Sequence, residues 1–215
     1  MLEVIATCLE DAKRIERGGG ERIELITAFT EGGLTPSYAL IKNVIEAVTI
    51  PVHVMIRPHA KSFVYSKEEI ELMKEDIRIA KQLGATGVVL GVLNENNKID
   101  EEKLGKLLEV VDELTDLVEG VKILRKFDKI THILTSGGKG RIEDNIAVLH
   151  SMNQASAGQI QIVVGSGVTN ENVQQLLHDT GITQVHVGTA AREGKSCFGE
   201  IVVQNIREIV KLISC

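Results

Sequence analysis

The 215-residue chain is poor in aromatic residues: it has no tryptophan, and aromatics make up 3% of it. Its core must therefore be built from isoleucine, valine, leucine and alanine, which favours tight aliphatic packing of an α/β fold over a surface that stacks bases. Cysteine is also scarce, with three residues and no CxxC motif. An odd, scattered set of cysteines argues against a disulfide framework and indicates a reducing compartment.

Long apolar runs and a positive charge excess are absent as well. No apolar run approaches the roughly 20 residues of a membrane span, and the first residues lack the basic-then-apolar pattern of a signal peptide. The net charge is −6, from 24 Lys and Arg against 30 Asp and Glu. We therefore expect a cytoplasmic protein with neither nucleic acid nor a membrane as a partner.

Short apolar runs alternate with amphipathic segments along the whole chain. Because these segments carry apolar residues three and four positions apart, they are typical of helices. The predicted strands cover residues 2–7, 22–27, 51–57, 87–93, 132–135, 161–165 and 184–188. The predicted helices cover residues 9–17, 37–48, 67–83, 100–114, 117–127, 141–153 and 169–179.

Two helices have clear start signals. Thr35 is the predicted N-cap of one, with Pro36 in its first turn. Ser66 is the predicted N-cap of the other, Glu69 completes a capping box, and Gly84 ends the helix.

Alternating strands and helices with short turns predict βαβ units and a parallel sheet, either open or closed into a (β/α)8 TIM barrel. The strand faces distinguish the two. An open sheet is covered on both faces and should be apolar on both, but here one face is repeatedly polar, as in "PVHVMIR". A barrel explains this pattern, because one face lies under the helices and the other points into the lumen. We predict a single TIM-barrel domain over residues 1–215.

The strand count is one short of eight. Two helical runs, 100–114 and 117–127, follow one another where a fifth strand is required, and the apolar pattern changes phase near Thr115 to Val118. We predict that the fifth strand segment is missing there.

The polar strand faces should converge inside the barrel. They carry Glu3, Arg22, Glu24, His53, Arg57, Gln184 and His186. Buried charges must pair with one another, with water or with a ligand. These residues form either a structural ion network or a site. The catalytic candidates are Glu24, Arg57, His53 and His186, of which Glu24, Arg57 and His186 lie late in their strands.

Glycine-containing turns follow the last strands, where many barrels bind phosphate through backbone N–H groups. The candidate anion-binding residues are Arg57, Gly165, Ser166, Gly167, Gly188 and Thr189, and Arg192 and Lys139 would add charge. The alternative is that tight turns simply need glycine. The basic loop 57–66 offers His59, Lys61 and Tyr65 as a possible pocket wall. Cys8 is the candidate ligand for a soft metal ion, since such ions prefer thiolates, and Cys197 is its possible neighbour.

Several motifs together resemble the CutC family of copper homeostasis proteins. They are "RIEL" with "EGGLTPSY", "IPVHVMIRP", "LGATGVVLGVL", "ILTSGG" and "GSGV". The resemblance covers nearly the whole chain. It implies a (β/α)8 barrel, a cytoplasmic location, a homodimer or higher homo-oligomer, and a function in copper tolerance with Cu(I) as the bound ion. It brings no settled enzymatic reaction.

The sequence departs from the family pattern in two places. Ile5 and Ile26 stand where family members commonly carry cysteine, and the family's "FHRA.D" fifth strand is absent. Two functions follow from the sequence. One is copper homeostasis with Cu(I) binding, and the other is an enzyme acting on a small anionic, phosphorylated or sugar-like ligand at the barrel mouth. A third possibility is an oligomeric protein whose lumen charges are purely structural.

Overall fold

The computed structural model describes residues 1–96, 98–108, 121, 124–127, 130–138 and 140–214. These residues form one parallel sheet of seven strands in the order β4-β3-β2-β1-β7-β6-β5. The strands are β1 (Leu2–Ala6), β2 (Arg22–Leu25), β3 (Val52–Met55), β4 (Gly87–Val89), β5 (His132–Thr135), β6 (Gln161–Val164) and β7 (Gln184–Val187). All seven lie within the ranges predicted for them.

Helices connect consecutive strands. They are α1 (Leu9–Gly18), α2 (Tyr38–Ala47), α3 (Lys67–Gln82), α4 (Glu101–Leu108), α5 (Ile146–Ser156), α6 (Val173–Thr180) and α7 (Val203–Ile213). Helix α7 was not predicted, although its sequence is amphipathic. A 3-10 turn, Ile142–Asn145, precedes α5 where the prediction had one continuous helix. The predicted helix 117–127 and the end of 100–114 lie mostly outside the described residues. None of the described helices is long and apolar enough to cross a membrane.

The predicted capping box of α3 is confirmed. The Ser66 hydroxyl accepts from the backbone N–H of Glu69, and the Glu69 carboxylate accepts from the backbone N–H of Ser66. The prediction for α2 was wrong by two residues, because Ser37 is its N-cap. Thr35 instead bonds to Arg57 through both its backbone and its hydroxyl, so it ties the β2–α2 loop to the end of β3.

The two faces of the strands separate as their sequence alternation predicts. The aliphatic face packs under the helices, and Leu2, Val4, Ile23 and Leu25 are fully buried there. The other face points into the lumen. The parallel register sets Glu3 beside Arg22 on β2 and His186 on β7, and sets Glu24 beside His53 on β3.

The sheet curls like a barrel but is open on one side. Among the described residues, β4 pairs only with β3, β5 pairs only with β6, and no strand lies between them. This agrees with the predicted barrel that lacks its fifth strand. The segment from Thr115 to Val118, where we predicted the missing strand, lies outside the described residues.

Candidate functional site

The centre of the lumen is a cluster of charged and imidazole side chains around Glu3. The Glu3 carboxylate accepts from the Arg22 Nε–H and, at 2.7 Å, from the His186 Nδ1–H. His53 Nδ1 lies 3.9 Å from Glu3 Oε2. The predicted lumen residues Glu3, Arg22, His53 and His186 therefore meet, and the register of β1, β2, β3 and β7 brings them together.

Arg22 extends this cluster across the lumen to β5. Its Nη1 lies 3.1 Å from Nε2 of His132, which was not among the predicted residues. The ring of His132 meets that of His53 edge to face, with centroids 6.3 Å apart. The alternation of β5 carries the signal that would have identified it, because His132 shares a face with Leu134, which points inward.

Burial and the neighbouring charges set the ionisation of this cluster. Burial alone would raise the pKa of Glu3, but the hydrogen bond and charge of His186 and the charge of Arg22 lower it to about 2. Burial and Arg22 lower the pKa of both His53 and His132 to about 4. At neutral pH, Glu3 is therefore a carboxylate, and the two histidines are neutral.

Glu24 lies nearer than Glu3 to the carboxyl ends of the strands, because it is level with Ile5, and its environment is different. It is 3% exposed, its Oε2 lies 3.5 Å from His186 Nε2, and its Oε1 has no hydrogen-bond partner. Burial, followed by the negative charge of Glu3, raises the pKa of Glu24 to about 7 even though His186 opposes the shift. Burial would lower the pKa of His186, but the charges of Glu24 and Glu3 outweigh it and raise that pKa. Glu24 and His186 thus form a coupled acid–base pair, in which Glu24 titrates near neutral pH and the pKa of His186 lies above its ordinary value.

Glu24 and His186 line a cavity of about 560 Å³ at the carboxyl ends of the strands. This is the end at which ligand sites of (β/α)8 barrels lie. Its walls are mainly apolar, and they include Ile5, Ile26, Phe29, Met55, Phe63, Leu90, Leu134 and Val187. Ile5 and Ile26, where the resemblance described above led us to expect cysteine, face this cavity and offer no metal ligand.

The predicted glycine turns also lie at the cavity. Gly165, Ser166, Gly167, Gly188 and Thr189 all line it. Ser166 and Gly167 both have left-handed backbone conformations, with φ of +63° and +109°. The strained Ser166 marks this turn as one whose shape the fold imposes.

Two arginines predicted to contact an anion are bound elsewhere. Arg57 Nη1 donates to the carbonyls of Glu31 at 2.7 Å and Gly33 at 3.1 Å, so its guanidinium holds the β2–α2 loop. Arg192 is 3% exposed and donates to Asp11 Oδ2 at 2.8 Å and to the Ile5 carbonyl at 3.2 Å. Lys139 lies outside the described residues.

Within the described residues, none of the remaining candidates forms a hydrogen bond or ion pair with Glu24 or His186. Gln184 is half-buried, and its Oε1 has no partner. In the loop after β3, His59 Nε2 bonds to Glu69 at 2.9 Å, and the buried hydroxyl of Tyr65 has no partner. Lys61 is exposed.

The structure places Cys8 at the N-terminus of α1. It is exposed, and its Sγ accepts from the backbone N–H of Asp11 at 3.4 Å, so it is the N-cap of that helix. Cys197 is half-buried in the loop after β7. Within the part of the chain that the structure describes, no group of three or more His, Cys, Asp or Glu is arranged to hold a metal ion.

Comparison with known proteins gives a consistent result. A sequence profile of the CutC family matches residues 1–191. A human copper homeostasis protein cutC homolog is 36% identical over 201 residues, which cover 86% of this chain and 72% of the human protein. A CutC family protein from Proteus mirabilis is 37% identical and spans 86% of this chain and 77% of its own length.

Solved structures agree. A putative copper homeostasis protein CutC from Streptococcus agalactiae superimposes with a TM-score of 0.80 at 33% identity, and the alignment covers 87% of this chain and 97% of that one. A phosphoribosylanthranilate isomerase from Thermotoga maritima superimposes with a TM-score of 0.64 at 13% identity, covering 99% of this chain and 97% of that one. The second likeness reflects the barrel-like fold alone.

Proposed function

Because the chain belongs to the CutC family, we propose that it takes part in copper homeostasis in the cytoplasm. The support is the family itself, whose relatives carry that function in their names. A homodimer or higher homo-oligomer belongs to the same proposal and rests on the resemblance to the family.

Direct binding of Cu(I) is the finer part of this proposal, with copper as the cargo rather than a resident cofactor. Cu(I) is held by thiolates and thioethers, and the exposed thiol of Cys8 is the candidate. Among the described residues, Cys8 belongs to no group of three or more His, Cys, Asp or Glu side chains that could hold a metal ion. A copper site built on Cys8 therefore needs a second ligand, either from Cys197 or from another molecule.

Titration of the reduced protein against a chromogenic Cu(I) chelator tests this proposal. If Cys8 binds copper, Cys8→Ala should weaken the affinity of the protein for Cu(I) at least tenfold. Cys197→Ser shows whether the second thiol takes part. If Cys8→Ala and the wild type bind Cu(I) with equal affinity, Cys8 is not a copper ligand. If neither protein competes with the chelator for Cu(I), the proposal of direct copper binding is wrong.

We also propose, as a second candidate function, that the mouth cavity binds a small organic ligand and that Glu24 exchanges a proton with it. The named relatives do not favour an enzyme. The observation behind this candidate is the unpartnered Glu24 Oε1, buried yet facing a cavity large enough for a small molecule.

The geometry gives each residue of this pair a distinct part. Glu24 titrates at about pH 7, which is the condition under which a carboxyl group both accepts and returns a proton efficiently. His186, held by Glu3 on its other nitrogen, keeps its ring oriented toward Glu24. An anionic or phosphorylated ligand would rely on the turns at Gly165–Gly167 and Gly188, because the described lining of the cavity contains no lysine or arginine.

Ribose 5-phosphate is a suitable probe for this second candidate. In a ¹⁵N-resolved NMR titration, binding at the mouth should shift the amide signals of Gly165, Gly167 and Gly188 saturably. Glu24→Gln should fold, retain these shifts and show a weaker pH dependence of the affinity near pH 7 than the wild type. The phosphate itself, with a second pKa of about 6, titrates in the same way with both proteins. Shifts confined to other parts of the barrel would contradict a phosphate site at these turns.

A further inference from the structure

Two of the four phenylalanines of this chain line the same cavity, although aromatic residues make up only 3% of the sequence. Phe29 lies in the 3-10 turn after β2, and Phe63 lies in the loop between β3 and α3. Phe63 is 39% exposed and Phe29 is partly exposed. The mouth therefore presents two aromatic rings from neighbouring loops.

Each ring is fixed by an arginine. The Arg57 Cζ lies 4.6 Å from the centroid of Phe63, and the Arg192 Cζ lies 5.3 Å from that of Phe29. Such contacts are favourable cation–π interactions. Both guanidinium groups are themselves held by hydrogen bonds to backbone carbonyls. The rings are thus preorganised, which lowers the entropic cost of packing a ligand against them.

Glycines at two strand ends make room for these rings. A Cβ added to Gly188 would lie 2.6 Å from Cζ of Phe29, and one added to Gly91 would lie 3.3 Å from Cδ1 of Phe63. Side chains at these positions would displace the rings. The backbone at the ends of β7 and β4 is therefore shaped to let both phenylalanines lie over the cavity.

The cavity has a polar group at Glu24. The carboxyl of Glu24 is 3% exposed, and its Oε1 lacks a partner. A buried acceptor of this kind is satisfied by a ligand that donates a hydrogen bond to it. The described lining of the cavity contains neither arginine nor lysine, and the nearby Arg57 and Arg192 are bound to protein groups. The cavity is therefore poorly matched to a free anion.

We propose, on the premise of the second candidate function above, that the mouth cavity takes an uncharged small molecule with a flat, apolar ring and an N–H or O–H group. The ring packs against Phe29 and Phe63, and the donor meets Glu24 Oε1. This assigns the chemical class of the ligand and gives the two phenylalanines a function in binding it.

Indole and 1-methylindole test this proposal, because they share a ring system and differ in the N–H donor. In NMR titrations of the full chain, indole should shift the amide signals of Gly91 and Gly188, and 1-methylindole should bind at least fivefold more weakly. Phe29→Leu and Phe63→Leu should each weaken indole binding at least threefold. Phe198→Leu is the matched control, since Phe198 is 85% exposed and does not line the cavity.

Replacing Glu24 distinguishes the contribution of the N–H donor to binding from that of the aromatic ring. Glu24→Met should bind indole only as weakly as it binds 1-methylindole, and its affinity for 1-methylindole should equal that of the wild type. Equal binding of the two probes to the wild type would overturn the donor contact. Binding of ribose 5-phosphate at the mouth without binding of indole would overturn the proposed ligand class and leave the second candidate function standing. Binding of none of the three probes would overturn both.

Discussion

Glu24 combines a buried position with a titration near neutral pH, and this makes the stability of the fold depend on pH. Its pKa is about 7 in the folded protein against an ordinary 4.5. Between these pH values the folded state binds more protons than the unfolded state, so the free energy of unfolding falls as pH rises. Glu24→Gln has no carboxyl group at this position, so its free energy of unfolding does not fall for this reason. The free energy of unfolding of the variant should therefore rise by about 3 kcal/mol relative to that of the wild type between pH 4.5 and 7.

Urea denaturation at several pH values measures this difference. Glu46→Gln is the control, because Glu46 is exposed on α2 beside Lys42, and its stability difference from the wild type should change little over the same range. His53 and His132, whose pKa values of about 4 give the opposite trend, are present in all three proteins and cancel. The pKa of His186 is raised partly by the charge of Glu24, so it is raised less in Glu24→Gln, and this adds to the same trend as the loss of Glu24 itself. A pH-independent difference for Glu24→Gln would contradict the assignment.

At the residue scale, the sequence predicted the lumen cluster because strand alternation determines which side chains share a face. Glu3, Arg22, His53 and His186 met as expected. Arg57 was expected at an anion, but loop carbonyls bind it. Alternation assigns a side chain to a face, yet it does not show which loop folds back over the strand end. The partners of Arg57 therefore had to come from the structure.

Helices α1 and α7 approach closely at Gly18, and this contact determines what residue is tolerated there. A Cβ at Gly18 would lie 2.7 Å from Cβ of Ile206. Although alanine is favoured over glycine in helices, Gly18→Ala should destabilise the protein by about 1–3 kcal/mol because the helices must move apart. In an Ile206→Ala background, the cost of Gly18→Ala should shrink, since the smaller side chain lets α7 shift.

Thermal and urea denaturation of the four proteins in this cycle measure the coupling. Gly105→Ala in α4 is the control, because a Cβ there meets no described atom within 4 Å. That substitution should stabilise the protein by about 0.5–1 kcal/mol. Additive effects of Gly18→Ala and Ile206→Ala would show that the helices are not in close contact.

At the scale of elements, strands were easier to predict than helix ends. The seven apolar runs were short and bounded by turns, so each became a strand. The N-cap of α2 was placed at Thr35 because threonine before proline is a strong signal, but Thr35 bonds to Arg57 instead and Ser37 caps the helix. Helix α7 was missed, although Ile206 and Ile209 have helical spacing and are fully buried.

Across the whole molecule, the order of the sheet predicts a gradient of local stability. The central strand β1 pairs with β2 and β7, whereas β4 and β5 each have one paired neighbour among the described residues. Amide hydrogen exchange should therefore be slowest in β1 and β7 and fastest in β4 and β5, with opening free energies that differ by about 2–4 kcal/mol. Uniform protection across the seven strands would contradict an open side between β4 and β5.

The polar inner face of the strands allowed the barrel-like fold to be predicted, because only a lumen accounts for it. Counting strands against the eightfold repeat predicted a gap before β5, and the described residues have no strand between β4 and β5. What the sequence could not show is how the lumen is connected across its open side. The contact of Arg22 with His132 joins β2 to β5, and it depends on a curvature that no strand pattern contains.

The pairing of β1 with β7 has a consequence for synthesis of the chain on the ribosome. Leu2 lies beside Val185 in the sheet, and β1 is its central strand. One edge of β1 therefore stays unpaired until β7, whose Val185 pairs with Leu2, has been translated, which takes roughly 10–40 s at 5–20 residues per second. During that interval a hydrophobic strand edge is unpaired and able to bind other nascent chains. The edge of β1 that faces β7 is consequently open to such contacts for most of the synthesis of these strands.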